Sequence, residues 1–139
     1  MINTIVVRFD GEYAGEIKRI RNTVFTGEEH IDEHADFDGQ DTNAIHVLAQ
    51  MDGTYVGTGR MLMDGHIGRL AVLKSARGRG LGKKIMFTLI DQAKNQNLDR
   101  MYLGAQKHAV GFYKEIGFSE YGEPYEEVGI THVHMERFI

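Results

Sequence analysis

At 139 residues the chain has the size of one domain, large enough to bury about two-thirds of the surface of its unfolded state. Its net charge of −4 argues against sequence-independent binding to nucleic acid, and the absence of cysteine excludes disulfides and a thiol nucleophile. That absence is compatible with a reducing cytoplasm, and neither a signal peptide nor an apolar run near the roughly 20 residues of a membrane helix is visible.

The first forty residues predict a strand, a helix and an acidic segment. Residues 2–9 alternate apolar and polar side chains, and from 13 to 25 the apolar residues recur at helical spacing. Residues 28–41, the acidic segment, hold seven carboxylates and no lysine or arginine. Two interpretations of this segment remain open: a solvated loop or short helix, and an acidic rim that attracts a cationic amine.

Two patterns in the acidic segment are incomplete metal sites. His30 and His34 stand four residues apart, as ligands on a helix can, yet they have neither a third ligand nor the glutamate of the H-E-x-x-H pattern. Asp36-x-Asp38 begins like a calcium loop, but the third ligand and the glycine are misplaced. No metal site is therefore expected.

Three strands follow the acidic segment. Residues 44–51, 55–63 and 66–73 are strand-like runs, separated by Asp52-Gly53 and Asp64-Gly65. Asp-Gly between such runs is the preferred sequence for a type I′ hairpin turn. The three strands are therefore expected to form an antiparallel meander.

A basic, glycine-rich turn joins the third strand to a long helix that begins at about Leu81. The amides of a helix's first turn lack internal partners, the helix dipole attracts anions, and glycines let the backbone approach a phosphate closely. Glycine stands at Gly78, Gly80 and Gly82. Four cationic side chains add charge to the turn: Arg77, Arg79, Lys83 and Lys84. We therefore interpret residues 70–84 as a pyrophosphate-binding site.

The spacing excludes two common phosphate motifs. A P-loop around Gly82-Lys83 requires glycine where Arg77 stands and serine or threonine where Lys84 stands. A dinucleotide-binding fingerprint that starts at Gly78 requires glycine where Lys83 stands. The turn therefore matches neither motif.

The last forty residues predict three strands and one more helix. Residues 100–105 form a strand that lies parallel to its neighbour, because the preceding helix makes the crossover. A short helix near 109–116, a strand near 118–121, a turn at 122–124 and a last strand near 131–138 follow.

Two segments resemble signatures of the GCN5-related N-acetyltransferase (GNAT) family. Leu70-Ala71-Val72 followed by Arg77-Gly78-Arg79-Gly80-Leu81-Gly82 resembles its acyl-coenzyme A pyrophosphate loop. Residues 103–118 resemble its second signature, although Gln106 stands where asparagine is commoner. Further matches over nearly the whole chain narrow the resemblance to the small bacterial YjcF/ElaA-type branch: Arg21-x-x-Val24-Phe25, Glu28-Glu29, Asp36-x-Asp38, Asp41, His46, Gly57-Thr58-Gly59-Arg60 and Glu127-x-Gly129-Ile130-x-His132-x-x-Met135.

The resemblance implies an α/β (α+β) fold. Its mixed, mostly antiparallel sheet of six to seven strands is flanked by helices and contains a splayed parallel strand pair. The resemblance also implies acetyl-CoA as co-substrate and no metal. The residues it assigns to acetyl-CoA are Leu70, Ala71, Val72, Arg77, Gly78, Arg79, Gly80, Leu81, Gly82, Lys83, Gln106, Phe112 and Tyr113.

The resemblance also implies roles in the transfer step. A backbone amide at about Val72 or Leu73 stabilises the oxyanion, and Tyr113 protonates the departing thiolate. Glu28, Glu127 and His132 are the candidates for accepting the amine's proton or binding its ammonium form, and histidine exchanges protons near neutral pH. The expected catalytic set is Tyr113, His132 and Glu28, and the expected substrate-binding set is Phe25, Glu28, Glu29, Glu127 and His132.

Two functions therefore remain in view. The first is N-acetyl transfer from acetyl-CoA to a primary amine of a small molecule or a protein, without a nucleic acid or membrane partner. The alternative is a module that binds acyl-CoA and reports its level to a partner without turnover. Dimers are common in the family, so the resemblance also allows a homodimer.

Overall fold

Seven strands and four α-helices make up the computed structural model, which describes residues 1–139. In chain order they are β1 (Ile2–Val7), α1 (Gly11–Arg21), α2 (Glu33–Asp36), β2 (Ile45–Met51), β3 (Thr54–Met61), β4 (Ile67–Val72), α3 (Leu81–Asn95), β5 (Arg100–Gln106), α4 (Val110–Glu115), β6 (Ser119–Glu127) and β7 (Ile130–Phe138). No helix combines the length and the apolar character that crossing a bilayer requires.

The strands form two antiparallel sheets that meet at one point. The first has the order β1-β2-β3-β4 and contains the predicted meander, and the second has the order β5-β7-β6. The sheets are joined by a parallel bridge between His66 and Tyr102, where the Tyr102 amide donates to the Gly65 carbonyl at 3.0 Å. Beyond this bridge β4 and β5 diverge. The α+β fold with a splayed parallel strand pair is therefore confirmed.

Helix α3 packs across the first sheet and fixes the position of the glycine-rich turn. Its apolar stripe is fully buried, as the spacing predicts: Leu81, Ile85, Met86, Leu89, Ile90 and Ala93. Close approach depends on Gly59 in β3, because a Cβ built there would lie 2.6 Å from Cγ2 of Ile85. The helix therefore begins at a fixed place beside the end of β4.

Two predicted boundaries are wrong. The first helix does not end at residue 25: α1 passes directly into a π-helical segment, Asn22–Glu28. The predicted turn at 122–124 lies inside β6, where the register against β7 shifts between Tyr121 and Tyr125. Pro124 is tolerated there because β6 is an edge strand and a bulge removes the need for its missing N–H.

Candidate active site

A cleft of about 960 Å³ opens where β4 and β5 separate. One wall is the face of the β5-β7-β6 sheet, and the other is formed by the chain after α1, from Phe25 to Asp36. Its volume lies in the range of small-molecule sites in proteins. Half of the residues assigned to substrate or cofactor from the sequence line this one cleft: Phe25, Glu28, Glu29, Leu70, Arg77, Gln106, Tyr113, Glu127 and His132. The other assigned residues do not line it: Ala71, Val72, Gly78, Arg79, Gly80, Leu81, Gly82, Lys83 and Phe112.

The edge of β4 offers unpaired backbone groups to the cleft. The Leu73 amide donates to the Val56 carbonyl of β3 at 2.8 Å, and polar groups alternate sides along a strand. Ala71 therefore points its backbone groups at β3, while Leu70 and Val72 point theirs away from it. Of the two amides expected to stabilise the oxyanion, that of Leu73 is wrong, because it already donates its hydrogen bond to the Val56 carbonyl.

The glycine-rich turn presents free amides in front of α3. Gly78 and Gly80 have φ angles of 77° and 79°, which favour glycine, and no atom lies within 4 Å of a Cβ built at either position. The amides of Gly78, Arg79 and Gly80 make no backbone hydrogen bond. The first turn of α3 adds its own unpaired amides, since no side chain caps the helix at Gly80. This arrangement suits an anion.

Tyr113 reaches the cleft from α4. Its ring packs edge-on against Phe112 and Phe118, with centroids 5.0 and 6.0 Å away, and its hydroxyl makes no hydrogen bond within the chain. Burial raises the pKa of Tyr113 to about 12. Phe112 in turn covers Gly82, where a Cβ would approach its ring to 3.2 Å. The hydroxyl is therefore a protonated donor without a partner.

Comparison with known proteins identifies the family. The family model of the acetyltransferase (GNAT) domain matches residues 5–138. The chain belongs to the GNAT family.

Several GNAT relatives resemble the chain over most of its length. It is 36% identical over 130 residues to the protein YyaT of Bacillus subtilis, covering 89% of this chain and 88% of that protein. It is 32% identical over 128 residues to ElaA of Escherichia coli, covering 86% and 83%. The crystal structure of Escherichia coli ElaA superposes with a TM-score of 0.87 at 28% identity, covering 99% of both chains. A Pseudomonas aeruginosa acyl-CoA N-acyltransferase gives a TM-score of 0.86 at 28% identity, also covering 99% of both.

His132 lies on the cleft face of β7 with a defined tautomer when it is neutral. Its Nδ1 is 2.8 Å from the carbonyl oxygen of Ile130. Because a carbonyl only accepts, Nδ1 carries the proton and donates it, which leaves the lone pair on Nε2. The ring of Tyr125 stacks on the imidazole, with centroids 5.6 Å apart. His132 can therefore accept a proton through Nε2.

Glu28 is already paired within this GNAT cleft. Its two carboxylate oxygens accept from the terminal nitrogens of Arg77 at 2.8 and 2.9 Å, while Nε of Arg77 donates to the Val72 carbonyl at 3.0 Å. The pair links the edge of β4 to the end of the π-helical segment. Of the cations expected at the phosphates, Arg77 is thus held by Glu28, and Lys83 lies 3.0 Å from Glu115.

Two aspartates of the acidic segment lie in the interior of the protein. Asp36 and Asp41 are buried around Arg21, which is 0% exposed. Arg21 donates to Asp41 at 2.8 Å and to Asp36 at 3.1 Å. Arg21 is four residues after Ile17, so it occupies the buried face of α1.

Two more arginines complete this ion cluster. Arg60 of β3 donates to Asp38 at 2.9 and 3.0 Å and to Asp41 at 3.0 Å. Arg69 lies 3.1 Å from Asp36 and 3.3 Å from Asp38. The Arg60 guanidinium holds the pKa of Asp38 well below its usual range. We define the ion cluster as three arginines and three aspartates whose charges cancel: Arg21, Arg60, Arg69, Asp36, Asp38 and Asp41. The expected short helix is present as α2, but Asp36 and Asp41 are buried and paired, and are neither solvated nor part of an acidic rim.

A set of aromatic side chains in the cleft has no counterpart in the predicted site. We name them the ring wall: Tyr102, Tyr121, Tyr125, His132 and His134. All five project from the cleft face of the β5-β7-β6 sheet, and only His132 was singled out for a role. The signal in the sequence is the two-residue spacing of His132 and His134, but the tyrosines join them only through strand pairing. No group of three or more His, Asp or Glu side chains is arranged to hold a metal ion.

Proposed function

We propose that this chain transfers an acetyl group from acetyl-CoA to a primary amine of a small molecule or a protein, by direct attack in a ternary complex. The observation that carries the proposal is the continuous cleft between β4 and β5. The ring wall lines this cleft, and the glycine-rich turn, whose amides are free, follows Arg77 of the cleft lining in the chain. The similar Pseudomonas aeruginosa protein, described as an acyl-CoA N-acyltransferase, supports the same cofactor class.

The fit of coenzyme A rests on two features of the chain. Gly78, Gly80 and the first turn of α3 offer amides to its diphosphate. The backbone of Leu70 at the edge of β4 offers hydrogen bonds to the pantetheine arm, which would add to this edge like a further strand. The Val72 carbonyl is already held by Nε of Arg77. When bound, acetyl-CoA supplies the thioester whose acetyl group is transferred.

The amine must lose a proton before it attacks. With a pKa near 10.4, as for lysine, only about one amine in 2,500 is free base at pH 7, a deficit of roughly 4–5 kcal/mol. His132 offers Nε2 as the acceptor of this proton, directly or through a water molecule. Glu28 is a weaker candidate than the sequence suggests, because Arg77 already holds both of its oxygens.

Two hydrogen-bond donors of the chain would act on the thioester during the transfer. The amide of Val72, which points away from β3, would donate to the carbonyl oxygen as it gains negative charge. Tyr113 is protonated at neutral pH and its hydroxyl has no partner in the chain, so it would donate to the departing sulfur; burial, which raises its pKa to about 12, makes it a weaker acid than an exposed tyrosine.

Kinetics of thiol release test the proposal. We expect turnover of acetyl-CoA with members of a panel of primary amines. Tyr113→Phe should lower kcat by roughly a hundredfold or more with little change in acetyl-CoA affinity, since it removes a proton donor only. Gly80→Glu should abolish acetyl-CoA binding, because it places a carboxylate and a strained φ at the anion site.

A matched control separates strain from binding. Gly11 also has a positive φ, 53°, with no atom within 4 Å of its Cβ position, and it lies outside the cleft. Gly11→Glu should therefore bind acetyl-CoA as the wild type does. Unchanged rates in both Tyr113→Phe and Gly80→Glu would refute the assigned roles. Saturable stabilisation by acetyl-CoA without turnover on any amine would favour the sensor.

A further inference from the structure

We infer that the ring wall, together with Glu127, binds a second positive charge on the acceptor, which makes diamines and polyamines the preferred substrate class. The inference rests on the proposed acetyl transfer and names the amine that the transfer would use.

Four of the five rings of the ring wall, all except Tyr102, form a continuous stack across the sheet. Tyr125 lies between the two imidazoles, with centroids 4.2 Å from His134 and 5.6 Å from His132. His134 then contacts Tyr121 at 5.2 Å. Tyr125 can lie flat on β5 because residue 104 is glycine; a Cβ there would collide with its hydroxyl. The strand register therefore fixes the positions of these rings relative to one another.

This face of the sheet already binds a cation. The guanidinium carbon of Arg100 lies 4.7 Å from the ring centroid of Tyr102 and 5.1 Å from that of Tyr121. Nε of Arg100 also donates to Glu136 at 2.7 Å. In this chain, therefore, two tyrosine rings and an adjacent carboxylate together bind the positive charge of an arginine.

The cleft offers the same combination to a ligand. Glu127, next to the ring wall, takes part in no hydrogen bond or ion pair, and Glu29 on the opposite wall accepts only a 3.4 Å bond from Gln106. The nearby cations Arg69 and Arg77 are each held by a carboxylate. The charge that remains free in the cleft is therefore negative.

A second charge keeps these contacts throughout the reaction, whereas the attacking amine loses them when it gives up its proton. It must be neutral to react, and a neutral nitrogen gains little from ring faces or from a carboxylate. A second ammonium group on the same molecule keeps its proton, so it is stabilised both by the ring faces and by the carboxylate. The ring wall and Glu127 therefore favour an amine with a distal positive charge over one without it.

Matched acceptors test this inference. With acetyl-CoA saturating, we expect kcat/KM for 1,5-diaminopentane to exceed that for pentylamine by about tenfold or more, the effect of one desolvated cation–π contact or charge-assisted hydrogen bond. Glu127→Gln should reduce this ratio severalfold. Glu126→Gln, at the neighbouring exposed position of β6 and outside the cleft, should leave the ratio as it is.

The outcomes separate the two proposals. Equal kcat/KM values for the two amines, or a ratio that Glu127→Gln leaves unchanged, would overturn the inference while acetyl transfer stands. Absence of transfer to both amines by protein that binds acetyl-CoA would overturn the proposed function and the inference with it.

Discussion

Removing Asp41 from the ion cluster should destabilise the fold severely. Its Oδ1 accepts from Arg21 at 2.8 Å and from Arg60 at 3.0 Å, and both guanidinium groups are almost completely buried. Asp41→Ala leaves these two donors without that acceptor and leaves an excess positive charge in the interior. Breaking a buried charge pair in this way costs roughly 3–5 kcal/mol. That is a large share of the 5–15 kcal/mol typical of a whole domain.

Urea denaturation followed by circular dichroism measures this loss directly. Asp41→Asn keeps an Oδ1 acceptor but removes the charge, so its loss should be smaller than that of Asp41→Ala. Asp91→Asn, at an exposed position on α3 without an ion pair, should change the free energy of unfolding by less than about 0.5 kcal/mol. A loss below about 1 kcal/mol for Asp41→Ala would refute a structural role for the ion cluster.

Three further predictions concern acid stability, backbone strain and packing. Because the pKa of Asp38 is lowered in the folded state, its contribution is complete above the usual carboxyl pKa near 4 and is lost as the pH falls. The difference in unfolding free energy between wild type and Asp38→Asn should therefore shrink from about pH 5 to about pH 2, and a difference constant with pH would contradict this. Val128 is 55% exposed and has a φ of 48°, so Val128→Asn should stabilise the protein by about 1 kcal/mol, measured as a higher melting temperature; a lower one would show that the strain is absent. Gly59→Ala should cost about 1–3 kcal/mol in urea denaturation, because its Cβ would overlap Ile85, and an unchanged midpoint would count against the close packing of α3.

The elements that local sequence patterns specify are those that the sequence predicts best. Helix α3 follows from the spacing of its apolar residues, and the β2-β3-β4 meander follows from Asp52-Gly53 and Asp64-Gly65. The glycine-rich turn is also local, because it needs only alternate glycines before a helix. Each of these features depends on residues within about fifteen positions of one another, so it can be predicted without knowing how the rest of the chain folds.

The ion cluster and the ring wall depend on distant parts of the chain. Arg21 lies 20 positions from Asp41 in the chain, and Arg60 lies 19 positions from it. Inspection of residues 28–41 alone therefore finds carboxylates but not the arginines that pair with them. The sequence does contain one signal for these pairs. Arg21 and Arg60 fall on the apolar faces of their helix and strand, where an unpaired charge would be too costly, so each requires a carboxylate partner. The ring wall likewise depends on the bulge that brings Tyr125 opposite His132.

Binding of the coenzyme at the glycine-rich turn is the step on which catalysis and acceptor choice both depend. A titration of the ¹⁵N-labelled protein with coenzyme A, followed by amide chemical shifts, tests it most directly. We predict saturable shifts that are largest for residues 78–83. Shifts confined to other regions, or no shifts at millimolar coenzyme A, would contradict the role of this turn as the diphosphate site.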